Sequence, residues 1–181
     1  MDDLKGNKRR IYEYIEKNPG RHMREIKRSL GLSMGDVQYN LYSLEKLGYI
    51  VSLKKGLYKR YYPRNMFSEK EKGIIALISN ENMRKILLML MKRPGSTQSE
   101  LVMFTGLTPA TVNWHMKKLI DENVVEIKRE GRNIRYYIRD VRRIENLMRI
   151  YYPTFWERWA DNFAELWSEL SNFKKEEKKD D

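Results

Sequence analysis

The chain has 181 residues, of which 41% are apolar and 34% charged, a balance that fits folded domains of ordinary size and excludes wholesale disorder. Cysteine is absent, which excludes disulfides, thiolate metal sites and cysteine nucleophiles and fits a reducing compartment. Of the formal net charge of +11, residues 154–181 contribute −3 and residues 1–153 carry +14, so the basicity points to a polyanion, either nucleic acid or an anionic membrane surface.

The start, MDDLKGNKRR, has no apolar stretch of the signal-peptide kind, and the longest apolar run, Ile86 to Met91, is too short to cross a bilayer. A cytoplasmic protein is expected. From Asn7 to Lys17, Ile11, Tyr14 and Ile15 stand at helical spacing, and Asn18-Pro19-Gly20 ends the helix. A second short helix, Met23 to Leu30, stops at Gly31, whose tolerance of positive φ lets the chain reverse before a third helix starts after Ser33 as N-cap. His22 is expected to serve as a turn or capping residue before the second helix. The third helix runs to about Leu47 with Val37, Leu41 and Leu44 on its buried stripe, which leaves Gln38, Tyr39, Asn40 and Tyr42 on other faces. Strand-like runs follow at Tyr49 to Leu53 and Tyr58 to Tyr62, joined by Lys54-Lys55-Gly56.

Met66 to Ser79 carries Phe67, Ile74, Ile75, Leu77 and Ile78 and reads as a helix that either joins two domains rigidly or flanks the core of the second. Then the pattern repeats. Helices are expected at Met83 to Lys92, Gln98 to Phe104 and onward from Thr108 as N-cap with Pro109 at the first helical position. The last of these buries Val112, Met116 and Leu119 and exposes Thr111, Asn113, Trp114, His115 and Lys117; a hairpin follows with Glu130-Gly131-Arg132-Asn133 at its tip. Shifted by 75 positions the chain falls onto itself without a gap, matching Pro19/Pro94, Gly20/Gly95, Gly31/Gly106, Val37/Val112, Leu44/Leu119, Arg60/Arg135 and Tyr61/Tyr136 among others.

The fold class is therefore mainly α with small β-hairpins: two tandem helix-turn-helix domains at 1–66 and 82–140, a linker helix at 67–81, and a C-terminal helical segment at 141–181. In that last segment Trp156, Trp159, Phe163, Leu166, Leu170 and Phe173 stand at steps of 3, 4, 3, 4, 3, the pattern of a helical seam. Its candidate partners are a twin in a homodimer, the chain's own second domain, or a membrane. Glu157, Asp161, Glu165 and Glu169 against Arg158 oppose anionic lipid, so dimerisation is the expectation.

The stretch GLTPATVNWHMKKLIDENVVEIKREGRNIRYYI resembles the recognition helix and wing of winged helix-turn-helix regulators of the MarR/ArsR type, particularly the tandem versions common in archaea; GLSMGDVQYNLYSLEKLGYIVSLKKGLYKRYYP is its looser counterpart. The resemblance implies recognition helices in the major groove, with Gln38, Tyr39, Asn40 and Tyr42 in the first copy and Thr111, Asn113, Trp114 and Lys117 in the second facing DNA. Tyr39 and Trp114 stand where such regulators often carry Arg, which removes a bidentate guanine contact. Both aromatics equally fit a place in a small core. The basic hairpins, with Lys54, Lys55, Lys59 and Arg60 in one copy and Lys128, Arg129, Arg132 and Arg135 in the other, are candidate phosphate-contacting wings. His115 is read as a hydrogen-bonding residue on a helix face, and with His22 as the other histidine no metal-sensing ligand set is expected. Neither a nucleotide-binding glycine loop nor a catalytic triad spacing is present, so no cofactor is expected and an enzyme is the least favoured class. A DNA-binding transcription regulator is the leading reading, with a protein-docking adaptor and a weakly selective architectural DNA-binding protein as alternatives.

Overall fold

A computed structural model describes residues 4–55 and 57–157, with the Lys55 side chain outside that description. The chain divides into two units, residues 1–144 and 145–181, of which the first holds both repeats.

In the first repeat, α1 (Gly6–Lys17), α2 (Met23–Leu30) and α3 (Met34–Lys46) are followed by β2 (Ile50–Lys55) and β3 (Tyr58–Pro63). Local chemistry sets the boundaries. His22 caps α2: its Nδ1 accepts from the Glu25 amide while the Glu25 carboxylate accepts from the His22 amide. Gly31 ends the helix at φ 65°, a left-handed conformation, and the Ser33 hydroxyl accepts from the Asp36 amide to start α3. Ile11, Ile15, Ile26, Val37, Leu41, Leu44 and Ile50 meet in one core.

The strand β1 (Arg21–His22) was not legible in the sequence. It pairs antiparallel with β3, so the first wing is the outer part of a three-stranded sheet in the order β1-β3-β2. Two residues carry too little side-chain pattern to announce a strand; the edge of β3 makes it one.

The second repeat has α5 (Glu81–Lys92), α6 (Gln98–Thr105), α7 (Pro109–Asp121), β4 (Val125–Glu130) and β5 (Asn133–Ile138). Thr97 and Glu100 form the capping box, Gly106 the left-handed cap, and Thr108 the N-cap of α7 with Pro109 following. In place of β1 there is a single bridge between Ser96 and Tyr136.

Between the repeats lies α4 (Glu69–Ile78), capped by Ser68 and Glu71. The Tyr62 hydroxyl donates to the Lys72 carbonyl at 3.1 Å, and Phe67 meets the Tyr62 ring edge-on. Gly20 lies so close beneath Ile75 that an added Cβ would collide with it. On the other side Arg143, at the start of α8 (Val141–Tyr151), reaches Glu71 at 3.4 Å. These contacts tie α4 to the first domain, and α4 packs against α5 of the second repeat as well. A helical stretch resumes over 153–157, starting at Pro153. Of the expected seam, Trp156 is half-buried with Arg149 over its ring, while Trp159, Phe163, Leu166, Leu170 and Phe173 lie outside the described residues.

Candidate nucleic-acid interface

Each repeat brings the exposed side of its third helix next to its hairpin. In α3 the buried stripe Val37, Leu41 and Leu44 leaves Gln38, Tyr39 and Tyr42 in solvent, with Tyr39 70% and Tyr42 65% exposed. Together with Met23, Gly35, Glu45, Lys59 and Tyr61 they line a groove of about 520 Å³ between helix and hairpin. In α7, Asn113, Trp114 and Lys117 are exposed, and Trp114 keeps 53% of its surface in solvent beneath the ammonium of Lys118, 3.6 Å from its ring centroid. Neither aromatic completes a core.

Two other expected contact residues are engaged locally. The Asn40 amide donates to the Asp36 carbonyl at 2.8 Å, and the Thr111 hydroxyl is hydrogen-bonded to that of the capping Thr108 at 2.8 Å. Both side chains are spent on the first turns of their helices.

His115 departs from the expectation of a hydrogen-bonding residue on a helix face. It is 2% exposed and its Nδ1 has no hydrogen-bond partner among the described residues. The position one turn before Leu119 points inward, where period 3.6 places the core. Burial pushes its pKa down, and the nearby Lys118 charge pushes it further.

The hairpin cations fall into three groups. At the base, Arg60 donates to the Gly20 carbonyl at 2.7 Å and Arg135 to the Gly95 carbonyl at 2.9 Å. Both arginines therefore hold the turn after the first helix of their domain, and Arg135 also lies 2.5 Å from Glu130. Along the strands, Lys59 is 2.8 Å from the Glu45 carboxylate, which also accepts from the Ser52 hydroxyl. Burial pushes the Glu45 pKa up, but the hydrogen bonds from Lys59 and Ser52 and the Lys59 charge outweigh it and hold the carboxyl below its usual range. The Glu45 hydrogen bond in turn raises Lys59 against its partial burial. Lys128 lies over the Tyr137 ring at 4.7 Å, with Glu126 at 3.8 Å. Lys54, Arg129 and Arg132 are exposed and have no ion-pair partner among the described residues.

Sequence reasoning passed over a fourth group. Arg24, Lys27 and Arg28 on α2 are exposed and likewise unpaired among the described residues. Their signal in the sequence is three cations within two turns of the helix preceding the third. Among the described residues no cluster of three His, Asp or Glu side chains is placed to hold a metal ion, and no helix is long and apolar enough to cross a membrane.

Residues 5–75 match a family described as an N-terminal HTH domain, and residues 79–126 match one described as winged helix-turn-helix DNA-binding. The chain is 33% identical over 137 residues to an uncharacterized HTH-type transcriptional regulator, MJ1398, of the archaeon Methanocaldococcus jannaschii, an alignment that covers 76% of this chain. It spans only 34% of that relative's length. To the HTH-type transcriptional regulator YgaV of Escherichia coli it is 27% identical over 73 residues, covering 40% of this chain and 74% of that protein. Among solved structures, HlyU from Vibrio cholerae aligns at a TM-score of 0.43 and 23% identity over 48% of this chain and 97% of that one.

Proposed function

We propose that this chain, a tandem winged helix-turn-helix protein of the helix-turn-helix regulator class, is a transcription regulator that binds double-stranded DNA and performs no catalysis. The third helix of each domain enters the major groove and the hairpins lie on the phosphate backbone. One observation carries this reading: both copies hold a large aromatic, Tyr39 and Trp114, in solvent at the same position of the third helix. An exposed aromatic contributes less to its own domain than a buried one, so the repeated exposure marks a face that a partner covers. With +14 on residues 1–153, that partner is a polyanion. Gln38, Tyr39 and Tyr42 in one copy and Asn113, Trp114 and Lys117 in the other are the proposed base-facing set; Lys54, Lys128, Arg129 and Arg132 are the proposed phosphate set.

The seam from Trp156 to Phe173 supports a homodimer, in which four third helices meet an extended site. The experiment that tests the reading is binding of the purified chain to random-sequence duplex and to its own upstream region across a salt series, with its mass measured by light scattering in parallel. Steeply salt-dependent binding that favours one duplex is expected from a dimer-sized particle. Equal binding to both duplexes supports an architectural protein instead, and no binding at low salt supports a docking adaptor.

A further inference from the structure

Two copies of one domain in a single chain show which surface residues the fold requires and which are free to change. On α2, Arg24, Lys27 and Arg28 are exposed and unpaired among the described residues; 75 positions later α6 carries Ser99, Val102 and Met103. The fold therefore does not require cations on this helix. Lys27 lies one turn after Met23, which lines the groove with Gln38, Tyr39 and Tyr42, and Arg24 and Arg28 lie one turn apart on the adjoining side. A basic face on α2 thus adjoins the groove through Met23.

The hairpins show the reverse pattern. In the first domain Lys59 is neutralised by Glu45, which leaves Lys54 as the unpaired wing cation among the described side chains. In the second domain the positions of Glu45, Ser52 and Lys59 are taken together by Ile120, Ile127 and Ile134; Arg129 and Arg132 are exposed and unpaired among the described residues, and Lys128 lies at the longer distance of 3.8 Å from Glu126. Cations have moved from one side of the third helix to the other between the copies.

Resting on the reading of this chain as a duplex-DNA binder, we infer that its two domains grip the phosphate backbone with different surfaces. The first uses the α2 face of Arg24, Lys27 and Arg28; the second uses the wing of Lys128, Arg129 and Arg132. The helix preceding a recognition helix crosses the backbone, so cations on its exposed face meet phosphates there, as wing cations do on the far side. The two domains then make unlike footprints, and the site bound by one chain has a direction.

The test compares full-length chains in a salt series on one duplex of random sequence and on the preferred duplex. Arg24→Gln/Lys27→Gln/Arg28→Gln is expected to lower the slope of log affinity against log salt by about 2 to 3, at about 0.9 per phosphate contact, and to weaken both duplexes by the same factor. Lys59→Gln is expected to change the slope by less than about 0.5, because its charge is already neutralised. If the triple variant melts early, the single Arg28→Met variant, which carries the residue type of the second copy, reads a slope change of about 1. An unchanged slope in the α2 variants, with a reduced one in Lys128→Gln/Arg129→Gln/Arg132→Gln, overturns this inference and leaves the DNA-binding reading standing. A wild-type chain that binds neither duplex at low salt overturns both.

Discussion

Arg60 donates from its guanidinium to the main-chain carbonyl of Gly20 at 2.7 Å and reaches on to the Ser79 hydroxyl at 3.1 Å, while Arg135 repeats the first bond to Gly95 at 2.9 Å. The glycine that receives this bond also donates its own amide to the strand, Gly20 to Tyr61 and Gly95 to Tyr136. The turn after the first helix is thus tied to the wing by two bonds in each domain, and in the first domain the same arginine extends to the end of α4.

Arg60→Ala and Arg135→Ala are therefore expected to lower stability by about 1.5–3 kcal/mol each, the range for a hydrogen bond to a charged group, as measured by urea unfolding. Among molecules that remain folded, the salt dependence of DNA binding is expected to be unchanged. A lowered salt slope with unaltered stability would return both arginines to the phosphate-contacting set.

Tyr39→Ala and Trp114→Ala test the exposed aromatics. Since both rings stand largely in solvent, each variant is expected to unfold within about 0.5 kcal/mol of the parent. DNA affinity is expected to fall by a factor of ten or more, on the order of 1.4 kcal/mol. Equal losses of stability and affinity would mean that these rings support the fold instead.

Glu45 and Lys59 offer a pH test whose sign follows from their pKa shifts. The folded state holds Glu45 below its ordinary value of 4.5, so its contribution is present above that value and is lost as pH falls through the folded pKa. Lys59 is raised above 10.5, so its contribution is complete below 10.5 and is lost as pH rises through the folded pKa. Glu45→Gln is expected to flatten the acid limb of stability below pH 4.5 and to cost under about 1 kcal/mol at neutral pH, as suits a partly exposed pair screened by solvent. Freed of its partner, Lys59 is expected to tighten DNA binding a few-fold and to steepen the salt slope by about 1.

His115 supplies the neutral-pH counterpart. Its folded pKa lies below 6.5, so the unfolded chain binds more protons in the window between the two values; stability is complete above 6.5 and falls as pH drops through that window. His22 shifts in the same direction, chiefly through burial, so it contributes with the same sign. His115→Asn, which installs the residue found at the equivalent Asn40, is expected to reduce this slope between pH 5 and 7, and His22→Asn to remove more of it. Thermal melts at four pH values measure both, and an unaltered slope in the double variant would place the titration elsewhere.

The helices and their ends were legible because their signals are local. Ser33, Thr108 and Pro109 start helices and Gly31 and Gly106 stop them through contacts reaching no more than a turn along the chain. The tip of the second hairpin was legible for the same reason, with Glu130 facing Asn133 across a two-residue turn, whereas in the first hairpin Lys54 and Lys55, read as turn residues, continue β2 and pair with Lys59 and Tyr58. The candidate site was legible only in part. Tyr39 and Trp114 fitted either a core or a solvent-facing place, and the periodicity of one helix does not say which neighbours arrive to cover its flanks.

What the sequence determined by itself is the doubled architecture and the total charge, since capping, turn chemistry and apolar periodicity act within a few residues. What the tertiary structure alone decided is which cations are free. Arg60 meets its acceptor 40 positions away and Lys59 meets its carboxylate 14 positions away, so nothing in their immediate surroundings separates them from Lys54 or Arg28. A charge in sequence is only a charge; the long-range packing that brings a carbonyl or a carboxylate within 3 Å of it turns it into a strut, and the absence of such a partner leaves it available to a phosphate.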